Sequence, residues 1–123
     1  MKSPLILFIL IYLTFPVISF DPSIGHSGSA KNLLGENPTQ DMLDRFSNDK
    51  HVTSLTPPTF LVHAKNDPVK IENSYLFIQA LEQNKIPYST TIYEQGGHGF
   101  GMINPTSEVR RMDEVEKWLP SLF

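Results

Sequence analysis

Cysteine is absent from the 123 residues, which excludes disulfides, a thiol nucleophile and thiolate metal sites, and leaves the redox compartment open. Basic charge is sparse. Ten Lys and Arg stand against thirteen Asp and Glu, for a net charge of -3, and they form no basic run. Nothing here recommends nucleic acid or an anionic membrane surface as a partner, and no nucleic acid is expected. No fixed-period repeat or low-complexity tract occurs, which argues against a solenoid. No histidine pair has helical spacing, so neither a metal nor any other cofactor is expected. What remains is an ordinary globular composition, 40% hydrophobic and 19% charged, able to bury a core. The length is one domain at most, about half of a typical α/β enzyme.

The amino terminus has two readings. Met1-Lys2-Ser3-Pro4 precedes an apolar run over residues 5–13, then Thr14-Phe15-Pro16-Val17-Ile18-Ser19-Phe20. One Lys, a short apolar stretch and the Val17-Ile18-Ser19 triplet fit a signal peptide, which would allow export. The run is too short, and too soon met by Pro16, for a membrane span. A continuous apolar run is also how a fully buried parallel strand reads, and the elements that follow favour this second reading. The compartment stays undetermined.

Residues 21–58 are rich in Ser, Gly, Asn, Asp, Thr and Pro and read as a long excursion with one or two short helices, one starting at Thr39. Excursions of that length usually serve as lids or binding loops. Thr59-Phe60-Leu61-Val62-His63-Ala64 is the clearest strand, apolar on both faces as a central parallel strand should be. Lys65-Asn66-Asp67-Pro68 is a turn. A helix is expected from Glu72 to Asn84 with Tyr75, Ile78 and Leu81 on its packed face, widened by Leu76, Phe77 and Ala80. A second strand runs from Tyr88 to Tyr93, before Gln95-Gly96-Gly97-His98-Gly99-Phe100-Gly101. The last helix is expected from Thr106, as N-cap, to Leu119, with an apolar stripe of Val109, Met112, Val115, Trp118 and Leu119 and an Asp113–Lys117 pair.

Strand, helix, strand, helix is the grammar of an open parallel sheet, in which chemistry gathers at the carboxyl ends of the strands. Asp67 follows one strand and His98 the next. A buried carboxylate that fixes an imidazole tautomer is the supporting half of nucleophilic catalysis. An Asp in an Asp-Pro turn is most often only a turn residue. The ordered pair, with one helix between, is far more specific than either residue.

Asn32-Leu33-Leu34-Gly35-Glu36-Asn37-Pro38, Thr56-Pro57-Pro58-Thr59-Phe60-Leu61-Val62-His63-Ala64, Asp67-Pro68-Val69, Glu72-Asn73-Ser74 and Gly96-Gly97-His98-Gly99-Phe100-Gly101 resemble the acetyl-xylan-esterase-like branch of the α/β-hydrolases. That branch is related to dienelactone hydrolases and prolyl oligopeptidases. The resemblance covers residues from about Ile9 to Leu119. It implies the C-terminal part of an α/β-hydrolase fold, about three parallel strands with flanking helices in an incomplete sheet. By it, residues 1–123 form one partial domain: residues 5–13 the sixth strand, residues 21–58 a cap-side excursion over the acyl pocket, and residues 59–123 the unit bearing Asp67 as triad acid and His98 as general base. It also implies that the nucleophile elbow and the oxyanion loop belong upstream of Leu5. Val69-Lys70-Ile71 is about a residue shorter than the family's pattern.

Gly25-His26-Ser27-Gly28-Ser29 nearly spells the Gly-x-Ser-x-Gly elbow and gives the order Ser27, Asp67, His98. Its fifth position is Ser, and Asp21-Pro22 separates it from the preceding apolar run, so Ser27 is expected to be a loop residue. His63 reads as a core or rim residue, and His51 and His26 as loop residues. Two functions of different class follow. One is an esterase for small acyl or carbohydrate esters, inert in this stretch alone and binding its small ester when an N-terminal half completes it. The other is a non-catalytic, partner-dependent α/β module. In either case an unpaired strand edge is expected to drive self-association.

Overall fold

A computed structural model describes the backbone of residues 10–12 and the whole of residues 18–123. Three strands, β1 (Leu10–Tyr12), β2 (Thr59–Ala64) and β3 (Tyr88–Tyr93), form a parallel sheet in the order β1-β2-β3. Thr59 lies opposite both Leu10 and Tyr88, and Ala64 opposite Tyr93. β1 falls within the expected apolar strand; the other residues of that segment lie outside the described residues.

β2 explains its sequence directly. All six residues are buried, as a strand flanked on both sides requires. Successive side chains point to opposite faces, so the strand feeds two cores. Leu61 packs with Ile18, Phe77, Leu81 and Ile86 on one face. Phe60, Val62 and Ala64 pack with Tyr93 and Val115 on the other, where Trp118 and Leu119 close the edge. Phe60 is fully buried, its ring centroid 5.6 Å from that of Trp118. Burial of such a side chain contributes about 1.5–3 kcal/mol.

The excursion carries α1 (Ser27–Leu34) and α2 (Gln40–Phe46) around a small core of Phe20, Leu34 and Leu43. α2 starts where the sequence places it, with the Thr39 hydroxyl accepting from the Met42 N–H. Ser47 and Asn48 tie the excursion back: the Phe20 N–H donates to Ser47 Oγ at 2.8 Å, and the Asn48 N–H to the Ile18 carbonyl at 2.7 Å.

α3 (Glu72–Gln83) crosses from β2 to β3 and ends at Asn84, as expected, before Lys85 at φ +57. Its packed face differs from the apolar count. Asn73, Ser74, Phe77 and Leu81 are buried, whereas Tyr75 is 48% exposed. Polar residues can occupy this face because they are paired inside the protein. Asn73 accepts from the Ile18 and Ser19 N–H groups at 3.2 and 3.0 Å, and donates to the carbonyls of Ile24 and Lys70.

The final helix, α4 (Arg111–Trp118), is shorter than the expected Thr106–Leu119. The buried Asn104 captures the segment first: its Oδ1 accepts from the N–H and hydroxyl of Thr106 at 2.9 and 2.7 Å. The Thr106 hydroxyl thus closes a local turn instead of capping a helix. Val109 and Met112 are exposed, Arg111 and Val115 are buried, and Lys117 pairs with Glu114 rather than Asp113.

Candidate active site

β2 and β3 are adjacent and parallel, so the loops leaving them open on the same edge of the sheet. After β2 the chain turns at once, the Asp67 N–H donating to the Ala64 carbonyl at 3.1 Å. After β3 it enters a glycine loop in which Gly96, Gly97, Gly99 and Gly101 all have positive φ. Such a path is open to glycine and strained for other residues, which explains the density of glycine around His98.

These two loops bring Asp67 and His98 together. His98 Nδ1 lies 2.9 Å from Asp67 Oδ1 and 3.0 Å from Oδ2. The Asp67 side chain is 4% exposed and that of His98 is 36% exposed, so a sheltered carboxylate faces an imidazole at the surface. A carboxylate accepts only, so Nδ1 carries the hydrogen and Nε2 is the basic nitrogen. The acid loop, short as it is, reaches the imidazole.

Further contacts hold the pair. The Val69 N–H donates to Asp67 Oδ1 at 2.7 Å. Asn66 Oδ1 accepts from the Gly97 N–H at 2.8 Å, and Asn66 Nδ2 donates to Gln95 Oε1 at 3.0 Å. Adjacent residues of one loop, Asn66 and Asp67, therefore grip adjacent residues of the other, Gly97 and His98. Asn104 Nδ2 closes the base of the His98 loop on the Gln95 carbonyl at 2.7 Å. Beyond His98, Phe100 meets the Tyr93 ring edge-on at 5.4 Å and the buried Arg111 guanidinium at 5.6 Å.

The remaining candidates fall elsewhere. Ser27 opens α1 behind the N-cap His26, whose Nδ1 accepts from the Ser29 N–H. A nucleophile elbow is a strained strand-to-helix turn, yet Lys85 is the sole non-glycine residue of positive φ among the described residues. Ser27 lines an open cavity of 560 Å³ with Phe20, Pro22, Ala30, Pro38 and Leu43; neither Asp67 nor His98 borders it. His51 sits in a 3-10 turn, with Nε2 near the Asp44 carbonyl. His63 is buried in β2, and burial, the largest influence on it, pushes its imidazole below the ordinary value.

The sequence alone does not mark Asn66, Asn73, Ser74 and Asn104 as site supports. Their contacts join residues far apart in sequence, and the motif Glu72-Asn73-Ser74 was visible only as a pattern.

Comparison with known proteins agrees with this architecture. The profile described as Prolyl oligopeptidase family matches residues 21–123. Endo-1,4-beta-xylanase B of Butyrivibrio fibrisolvens is 40% identical over 95 residues, which are 76% of this chain and 15% of the xylanase. The crystal structure of an acetyl ester-xyloside bifunctional hydrolase from Caldicellulosiruptor lactoaceticus superposes with a TM-score of 0.81 at 40% identity, over 93% of this chain and 41% of that one. A sugar hydrolase from Lactococcus lactis superposes with a TM-score of 0.54 at 25% identity, over 93% of this chain and 44% of its own. The chain thus spans less than half of each of these relatives, and its three parallel strands with flanking helices are those of the α/β-hydrolase fold.

Proposed function

This chain belongs to the prolyl oligopeptidase family, and on that premise we propose that Asp67 is the acid and His98 the general base of a serine-type ester hydrolase. The observation that carries the reading is the contact of His98 Nδ1 with both oxygens of the sheltered Asp67. In this mechanism Asp67 keeps the hydrogen on Nδ1. Nε2 takes the proton of a serine hydroxyl as its oxygen attacks the ester carbonyl, then returns that proton to the departing alkoxide. A water molecule, deprotonated by the same nitrogen, releases the acyl group as its acid and restores the serine.

On this reading the serine and the oxyanion donors lie outside the described residues, since Ser27 has helical rather than elbow surroundings and no described serine has positive φ. Without them the chain is inert; loss of even one oxyanion donor costs about 10²–10³ in rate. On this reading residues 59–123 carry the acid and base, and residues 21–58 lie on the substrate side. The names of the xylanase and of the acetyl ester-xyloside hydrolase make acetylated xylosides the first substrates to try.

The test is to complete the domain with the N-terminal half of an active relative, then measure hydrolysis of p-nitrophenyl acetate and of an acetylated xyloside. Turnover that His98→Ala lowers by several powers of ten supports the assignment. Turnover that survives His98→Ala in a folded chimera rejects it, and stoichiometric labelling of Ser27 by a fluorophosphonate in the chain alone rejects the placing of the serine outside the described residues.

A further inference from the structure

His63 has no part in the proton transfers above, yet it occupies the interior of β2, 2% exposed, on the face toward α3. An imidazole so placed is costly unless both of its nitrogens are paired. Both are. Nε2 lies 2.8 Å from the Val69 carbonyl and Nδ1 lies 2.8 Å from Ser74 Oγ. A carbonyl only accepts, so Nε2 carries the hydrogen and Nδ1 accepts from the Ser74 hydroxyl. The neutral form this requires agrees with the lowering of the imidazole by burial.

The two partners of the ring are the link. Ser74 belongs to α3, a packed helix, whereas Val69 belongs to the turn that carries the acid. Val69 is itself buried, 3% exposed, and its N–H donates to Asp67 Oδ1 at 2.7 Å. His63 Nε2 stands 4.0 Å from Asp67 Oδ2, too far for a hydrogen bond, with its hydrogen committed to Val69. A continuous series of contacts therefore runs from Ser74 through His63, Val69 and Asp67 to His98.

We propose that His63, as the Nε2–H tautomer, is a positioning residue: it holds the Val69 carbonyl, and so sets the acid turn at the height where Asp67 meets His98 Nδ1. The inference rests on the reading of Asp67 and His98 as acid and base, and deepens it. Residues that orient a catalytic side chain act through geometry, and displacements near 1 Å can cost about 10²-fold in rate.

The test is nuclear magnetic resonance of the full chain with labelled histidine. In the unaltered protein, His63 is expected as the Nε2–H tautomer with a coupling across the hydrogen bond to the Val69 carbonyl. His63→Phe keeps the ring volume and removes the donor. It should abolish the His98 Nδ1–H resonance and speed exchange of the Val69 amide by about tenfold. His63→Gln, whose amide nitrogen can donate to the same carbonyl, should restore both signals. A folded His63→Phe protein that keeps the His98 resonance and Val69 protection overturns the proposal. If the Phe variant does not fold, a His63 found as Nδ1–H tautomer or imidazolium at neutral pH overturns it equally. These signals report hydrogen bonds and not turnover, so their failure leaves the assignment of acid and base standing, and an inactive completed enzyme leaves the positioning role standing.

Discussion

Gly96→Ala should destabilise the fold by about 2–4 kcal/mol, and Gly97→Ala, one residue on, by about half as much. Both glycines have positive φ, +147 and +62; an L side chain costs about 1–2 kcal/mol at the second and about 1–3 kcal/mol at the first. They differ in surroundings. A Cβ on Gly97 meets nothing within 4 Å, whereas a Cβ on Gly96 would stand 2.6 Å from Asn104 Nδ2 and 3.1 Å from the Phe100 ring. Asn104 cannot swing aside freely, because it is buried and bonds the Gln95 carbonyl with its nitrogen and Thr106 with its oxygen. Displacing it forfeits at least one buried hydrogen bond, about 1–2 kcal/mol more. Urea denaturation of both variants against the parent measures the difference, to which the displacement of Asn104 and the less accessible backbone of Gly96 both add. Equal losses in the two variants would refute the packing of Asn104 beneath the His98 loop.

Asn66→Ala should cost about 0.5–1.5 kcal/mol and speed exchange of the Gly97 amide, whereas Asn66→Asp, which keeps the acceptor, should lose less; identical exchange in parent and both variants would contradict the contact. Stability should also fall on mild acidification. The imidazole of folded His63 is lowered from 6.5, so the unfolded chain binds the proton first. The stability it contributes is whole above about 6.5 and is lost as pH falls from there toward the folded value. Denaturation midpoints for the parent should show this slope and those for His63→Gln a flatter one, and equal slopes would refute it. We further propose that β1, whose described sheet neighbour is β2, recruits a second chain at its other edge. Sedimentation should show self-association that rises with concentration, and a monomer at every concentration would contradict it.

The parallel sheet was legible because each strand announces itself by a different local rule. β2 is apolar on both faces, and β3 is bounded by Pro87 and the glycine loop, so their limits match the sequence reading. The sequence puts Asp67 and His98 each after a strand, and the parallel pairing of β2 with β3 sends both loops to one edge, where the two side chains meet. Less legible was whatever depends on a polar side chain finding a distant partner. Asn73 and Ser74 turn the buried face of α3 away from Tyr75, because four hydrogen bonds and one to His63 compensate their burial. Asn104 likewise takes Thr106 into a turn and delays α4 to Arg111. No hydrophobic periodicity records such pairings. His63 reads as a core residue, and it is one; its bond to the Val69 carbonyl joins a strand to the turn beyond it, which no local pattern marks.

Whether Asp67 orients His98 for proton transfer is decided by Asp67→Asn in the completed enzyme. An amide at this position can donate to Nδ1 and so favour the tautomer with its hydrogen on Nε2, which removes the base while leaving the shape of the site intact. The variant should fold, with kcat lowered by about 10⁴ and KM little changed. A folded Asp67→Asn enzyme that retains kcat within about tenfold of the parent would contradict that orienting role.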